Sequence, residues 1–386
     1  MEHLKVKSLG PIKEADIKFG DLTLFVGPQA SGKSILLQTI KLAIDIHNIT
    51  SVLKINNYDW NKDATKFLDS FFGENMSAIW TEKSEVILDG NTFNLIKQLS
   101  LRGPKNFEEK LFYVPAQRVV SMSQGWPRGF GTFDIGDPYV LKQFSETVRV
   151  LMEKESTNGA SKNGKVFPKP NRIKEPLRKI LDDSIFYGAQ VESDNTSLKK
   201  RFLLQVGGSK LPFMTWSAGQ KEFMPLLLSF YHLMPASKVS TKNDIKFVII
   251  EEPEMGLHPQ AIQALMVVFL ELIAKGYKVI ISTHSPVLLE MLWAMNYIKK
   301  YNGTADDLFQ LFSQKKNPSI ATAFNTVISD KTFATYFFEQ QKDGVTVKNI
   351  SSLDAGSADA SISNWGGLTD FASKAGDVVS KLVANG

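Results

Sequence analysis

Apolar residues along this chain fall into two registers. LTLFV (22–26), FVII (247–250) and KVIIS (278–282) are continuous apolar runs rather than alternating ones. A strand reads this way when both of its faces are covered. After the first run, Ile35, Leu36, Leu37, Ile40 and Ile44 recur at helical spacing. Residues 22–47 therefore predict strand, loop, helix. Between the other two runs, Gln260–Lys275 has helical patterning and stops at Gly276. Apolar strands alternating with helices predict an α/β fold with a mostly parallel sheet.

The interior is patterned differently. Residues 51–113 mix polar turns with short alternating runs such as SEVILDG (84–90), which predicts a small antiparallel or mixed β lobe. A Gly/Pro-rich loop, SQGWPRGFGTFDIGDP, precedes a helix-like piece, VLKQFSETVRVLMEKE. Residues 162–179 hold seven basic residues, one acid and three prolines, and read as an exposed connector. Ser351–Gly386 opens in a Gly/Ser/Ala/Asp-rich turn region and ends in a short amphipathic helix. The expected organisation is a discontinuous head (1–50 and 200–330), an insertion (51–199) with a β lobe and a helical part, and an extension (331–386) completing the head.

Composition narrows this only slightly. The chain has 386 residues, 43% hydrophobic and 22% charged, as an ordinary globular protein does. It has no cysteine, which removes disulfide and thiol chemistry and points to a reducing cytoplasmic setting. Met1–Leu9 carries no apolar run of signal-peptide type, and the longest apolar stretches, Met224–Met234 and Ala264–Ala274, are too short to span a bilayer. A net charge of +5 permits a polyanionic partner without requiring one.

Four segments carry chemistry. GPQASGKS (27–34) fits G-x-x-x-x-G-K-[ST], with a strand before it and a helix after. Backbone N–H groups of such a loop cradle phosphates; here these are Gly27, Gln29, Ala30, Ser31 and Gly32. Lys33 reaches the β- and γ-phosphates and Ser34 binds Mg²⁺. FVIIEEPEMGLHP (247–259) runs four apolar residues into Glu251 and Glu252. An acid pair at the end of a buried strand is costly unless a cation needs it. Glu251 suits the magnesium side, while Glu252, on the opposite strand face, suits orientation of an attacking water. TWSAGQKE (215–222) places Ser217, Gly219 and Gln220 at a helix start, a weak anion site by itself. His284, in ISTHSPVLL (281–289), ends another apolar strand within reach of a γ-phosphate or its water.

In this order the segments resemble the ABC-type ATPases of the SMC/RecF/OLD group. The resemblance identifies Walker A (Gly27–Ser34), a Q-loop candidate (Gln117 in FYVPAQR), the signature SAGQ (217–220), Walker B (247–252), the D-loop (Gly256, Leu257, His258) and the switch histidine His284. It covers residues 1–50 and 200–300 well and the interior poorly. It implies a P-loop NTPase fold and an ABC head that dimerises around two ATP. Each ATP would lie between Walker A of one protomer and Ser217 and Gly219 of the other. Gln117 and His258 would join the nucleotide site, with Ser34, Gln117 and Glu251 on the Mg²⁺ side, and Glu252 and His284 would be catalytic.

Departures from the family pattern sharpen the subgroup. The magnesium-side acid is Glu251 rather than Asp, and EEPE followed by GLHP resembles the OLD-like branch. His258 stands where transporter-type D-loops carry Asp. Residues 141–155 lack a sustained heptad repeat, so no SMC arm is expected. About 100 residues follow His284 without a convincing cluster of paired acids, so no Toprim nuclease is expected in this chain. The resemblance is to stand-alone ATPases of bacterial antiphage systems of Septu, retron or PARIS type. These work with a separately encoded effector such as a nuclease or toxin. The basic stretches 162–179 and 198–201 admit DNA as a further partner, and no membrane partner is expected. The alternative is an ATP-bound scaffold that turns over slowly or not at all and sequesters a toxin.

Overall fold

The computed structural model describes residues 1–101, 108–157, 164–194, 200–234 and 244–385. Its centre is one ten-stranded sheet. In spatial order the strands are Asn91–Thr92, Trp80–Leu88, His3–Leu9, Ile12–Lys18, Gly344–Asn349, Phe333–Gln341, Leu22–Val26, Lys278–Thr283, Phe247–Glu251 and Leu111–Val114. The last five pair in parallel throughout. This is the expected α/β architecture with a mostly parallel core.

Strand alternation splits the core into two layers. Leu24 and Val26 join Val248, Ile250, Val279 and Ile281 on one face. Phe25 joins Ile249 and Ile280 on the other. Helix Lys33–Ile55 covers the Phe25 face through Leu36, Leu37, Ile40 and Ile46. Helices Ala218–Leu233, Pro259–Ala274 and Pro286–Lys300 cover the Val26 face. Both faces are dry, so the strands need apolar residues at every position. Helix Pro259–Ala274 ends where the sequence stops it, with Gly276 at φ 96°.

Three interior segments differ from their expected form. Residues 80–92 are not a separate lobe. Trp80–Leu88 pairs antiparallel with His3–Leu9 and extends the main sheet. Likewise Leu111–Val114 pairs with Phe247–Ile250 as the parallel edge strand. The boundary at residue 50 falls inside helix Lys33–Ile55. The stretch 162–179, expected as an exposed connector, is built into the fold, although residues 162–163 lie outside the described set. Lys165–Phe167 is a strand of a four-stranded antiparallel sheet with Gln190–Asp194, Arg201–Val206 and Ser209–Pro212. Val166, Phe167, Ile173 and Leu177 are buried in the main core. The charges are accommodated rather than displayed. Lys174 pairs at 2.9 Å with Glu271, and Arg172 donates to the Tyr231 carbonyl. Of the second basic stretch, 198–201, residues 198 and 199 lie outside the described residues.

Phe333–Gln341 and Gly344–Asn349 fill the sheet between Leu22–Val26 and Ile12–Lys18. Residues from 331 onward thus close the sheet that carries the phosphate-loop strand. Helix Asp370–Asn385 lies at the surface with Phe371, Leu382 and Val383 exposed. Among the described residues no helix is long and apolar enough to cross a membrane.

Candidate functional site: a Gly-rich loop and an acid pair at the strand ends

Three parallel strands finish side by side. Val26 is in register with Thr283, and Ser282 with Glu251. The phosphate loop, His284 and the acid pair therefore emerge together at the carboxyl edge of the sheet. Open α/β sheets place their ligands there.

Gly27 and Gly32 shape the phosphate loop. Both have positive φ, 149° and 88°. A Cβ on Gly27 would lie 2.8 Å from the Phe338 carbonyl, and one on Gly32 2.9 Å from Pro11 Cγ. No other residue fits either place. Gln29 and Ala30 are exposed at the tip, and the Ser31 hydroxyl ties the loop by donating to the Pro28 carbonyl. Lys33 is buried and folds over the loop, its Nζ donating to the Gly27 and Pro28 carbonyls at 2.8 and 2.7 Å. Burial lowers its pKa to about 8, against the pull of Glu252, Glu251 and Glu254.

Glu251 is buried, and its Oε2 accepts from the Ala116 N–H at 3.0 Å. Its Oε1 is buried with no hydrogen-bond partner. Burial pushes the carboxyl pKa up, opposed by the Ser34 hydroxyl and the Ala116 N–H, which favour the ionised form. An orphaned carboxylate oxygen beside a serine hydroxyl is a hard-oxygen donor set that fits Mg²⁺. Among the described residues no group of three or more His, Cys, Asp or Glu side chains forms a protein-only metal cage. A Mg²⁺ site completed by phosphates needs only one or two protein donors.

Glu252 has φ 42°, an uncommon conformation for a residue other than glycine. Its N–H donates to the Ser282 carbonyl, and its Oε1 lies 3.4 Å from His284 Nε2. Glu254 holds His284 from behind. Its Oε1 accepts from the Thr283 hydroxyl and the His284 N–H, both at 2.7 Å. Gln117 is exposed at the start of the short turn Arg118–Ser121, next to the Ala116 N–H that binds Glu251.

Ser217 caps helix Ala218–Leu233. Its Oγ accepts from the Gln220 N–H, and the Gln220 side chain returns a bond to the Ser217 N–H. Ser217 is exposed at a helix N-terminus, where backbone donors attract anions, while the half-buried Gln220 also donates to the Ile185 carbonyl. A Cβ on Gly219 would sit 2.7 Å from the Gly256 carbonyl, so the signature turn packs against the D-loop of the same chain. His258 is exposed and caps helix Pro259–Ala274, its Nδ1 accepting from the Gln260 N–H at 3.4 Å.

Two residues escaped the sequence reading. Arg118 is fully buried and bonds to Glu222, Glu251 and Glu252. Glu254 orders the His284 backbone. The signals were adjacency to Gln117 and the third acid of EEPE, and neither reveals burial.

Residues 146–290 match the family described as "AAA domain, putative AbiEii toxin, Type IV TA system" (AAA_21). The Old nuclease of Escherichia phage P2 is 30% identical over 114 residues, which is 27% of this chain and 19% of that protein. The match thus spans about a fifth of the length of that relative. Solved structures found as similar include the SMC head domain from Thermotoga maritima, at 13% identity and TM-score 0.36 over 90% of this chain and 98% of that one. Another is the Smc head with an extended coiled coil bound to the C-terminal domain of ScpA from Pyrococcus furiosus. It has 13% identity and TM-score 0.42 over 90% and 95% of the two chains. The likeness to OLD proteins and AAA-type ATPases read from the motifs is also the one that the family match and the Old nuclease match support.

Proposed function

We propose that this chain is an ATP-hydrolysing switch whose two copies close head to head around two ATP molecules. The observation that carries this reading is the meeting of Lys33, Ser34, Glu251, Glu252 and His284 at adjoining strand ends. Backbone N–H groups of residues 27–32 and Nζ of Lys33 hold the phosphates. Ser34 and Glu251 would hold Mg²⁺, with Gln117, beside Ala116, on the same side; when bound, the ion would supply neutralisation of phosphate charge. Glu252 orients the attacking water and accepts its proton, and His284 fixes the Glu252 carboxylate and the leaving phosphate oxygen. The helix N-terminus at Ser217 and Gly219 supplies the second wall of the site on the partner copy's nucleotide, with Gln220 and His258 at its rim.

ATP then acts as the pin of a closed dimer, and hydrolysis releases it. The proposed use is control of a separately encoded effector, a nuclease or toxin, in antiphage defence inside the cytoplasm. DNA is a weaker candidate partner. Of the described basic residues in 162–179 only Lys179 is exposed, so that stretch gives little of the positive face DNA requires. Turnover separates a switch from a static ATP-bound scaffold. Purified protein releasing phosphate from Mg-ATP supports the switch. Stoichiometric ATP retention with no phosphate release replaces it with the scaffold.

A further inference from the structure

Arg118 has no solvent exposure, which is costly for a guanidinium unless its donors are used. All three nitrogens are used, and on separate parts of the molecule. Nε donates to the Glu222 carbonyl at 3.1 Å, Nη1 to the Glu251 carbonyl at 3.0 Å and Nη2 to the Glu252 carbonyl at 3.2 Å. Nη2 also lies 3.4 Å from the Glu222 carboxylate. Glu222 belongs to the first turns of the helix that Ser217 caps. The other two carbonyls flank the Cα of Glu252, the residue held at φ 42°.

A backbone in that region persists only where its surroundings over-determine it. Here the constraint is the fork of Arg118 on both flanking carbonyls, together with the Glu252 N–H bond to Ser282. A planar fork with fixed donor directions fits this task, and a lysine ammonium does not. The segment is anchored in turn. The Ala116 N–H binds the Glu251 carboxylate, and the Ser121 hydroxyl donates to the Arg118 carbonyl.

We infer that Arg118 is a positioning residue that couples the signature helix to the backbone of Glu252, so that anion binding at Ser217 and Gly219 sets the aim of the Glu252 carboxylate. The inference rests on the reading of Glu252 and the signature given above. Displacement of the helix N-terminus moves the Glu222 carbonyl, the guanidinium follows, and the two carbonyls around Glu252 follow it. A site would then fire only when its own chain's signature is engaged, which links the two ATP sites of a dimer without any direct contact between them.

Amide hydrogen exchange tests this. In the unmodified protein, titration with Mg²⁺ and a non-hydrolysable ATP analogue slows exchange in peptides covering 217–226 and 250–256 with one shared midpoint. In Arg118→Lys the 217–226 response survives and the 250–256 response is lost. Its kcat for ATP falls about 100-fold with KM unchanged, as misplacement of a catalytic group does. Separate midpoints in the unmodified protein, or both responses intact in Arg118→Lys, overturn the coupling. Should Arg118→Lys not fold, the midpoints of the unmodified protein decide. Coincident midpoints without any ATP turnover would sink the catalytic reading of Glu252 and leave the coupling standing.

Discussion

Glu252 Oε1 and His284 Nε2 face each other across 3.4 Å, each one residue past the end of one of two adjacent parallel strands. The main chains of the two residues are held separately. Glu252 is fixed by its backbone, and His284 by the Glu254 carboxylate that accepts its N–H. Glu252→Gln keeps size and hydrogen bonding but loses the base. Its phosphate release should fall by about 10²–10⁴-fold, the usual worth of a general base, while ATP stays bound. Phosphate release measured beside nucleotide retention checks this, and unchanged turnover removes Glu252 from the mechanism.

Lys33 makes nucleotide affinity depend on pH. Its pKa of about 8 lies below the ordinary lysine value because burial penalises the charged form. In the nucleotide-free protein that penalty is fully present below about pH 8 and fades as pH rises through 8 toward the ordinary value. Phosphates favour the charged form, so ATP binding takes up a proton near pH 8. Affinity should be flat at neutral pH and weaken by up to about tenfold per pH unit above 8. Calorimetry in buffers of different ionisation enthalpy should show the uptake, and Lys33→Met should abolish it together with tight binding.

Much of the fold and of this site was legible because its determinants are local. Leu22–Val26 and Phe247–Ile250 announce buried strands by themselves, and Gly27 to Ser34 sit in one short run. What was not legible depends on partners distant in sequence. Trp80–Leu88 alternates weakly, and only its pairing with His3–Leu9 makes it part of the main sheet. Lys174 reads as one charge of an exposed run, yet Glu271, far along the chain, neutralises it inside the fold. Arg118 could not be told from a surface arginine, since its three carbonyl partners come from two other segments.

Glu251 trades stability for ion binding. Its buried carboxyl carries a raised pKa, so its ionised form costs stability at any pH above that value, and the cost is relieved as pH falls through it. Glu251→Gln removes the charge from the buried Oε1 side and should stabilise the metal-free protein by about 1 kcal/mol at neutral pH. The same variant should need more Mg²⁺ for ATP binding. Thermal melts without divalent ions and Mg²⁺ titrations of ATP affinity give the two readings. A destabilised variant would mean that the carboxylate is satisfied within the protein.

Lys41 ties the phosphate-loop helix to the edge strand. Its Nζ contacts Asp45 Oδ2 at 2.8 Å, Glu109 Oε1 at 2.7 Å and the Leu111 carbonyl at 2.6 Å, and both Lys41 and Asp45 are buried. Asp45 also accepts from the Lys110 and Leu111 N–H groups. Lys41→Met leaves two carboxylates facing each other without a cation. Breaking such a buried pair from one side costs about 3–5 kcal/mol, which urea unfolding can measure. Because Asp45 keeps its two backbone donors, Lys41→Met with Glu109→Gln should recover part of that loss.

The two-copy arrangement has a test that folding defects cannot imitate. Ser217 is exposed at a helix start, so Ser217→Arg costs the cap, about 1 kcal/mol, and fills the space an incoming phosphate needs. Lys33→Ala disables the phosphate loop of the same chain. Each variant alone should be inactive, because every site of a homodimer then lacks one wall. In a mixed dimer one site loses both walls and the other keeps both. Random pairing makes half of the dimers mixed, each with one site whose two walls are intact, so an equal mixture should trap Mg-ATP in about a quarter of its sites, with turnover there as low as in Arg118→Lys because that chain's own signature is blocked. If the signature instead served the nucleotide of its own chain, each mixed dimer would hold two broken sites, and mixing would restore nothing. Dose dependence adds a second check: the regained trapping should fall as protein concentration drops below that needed for pairing.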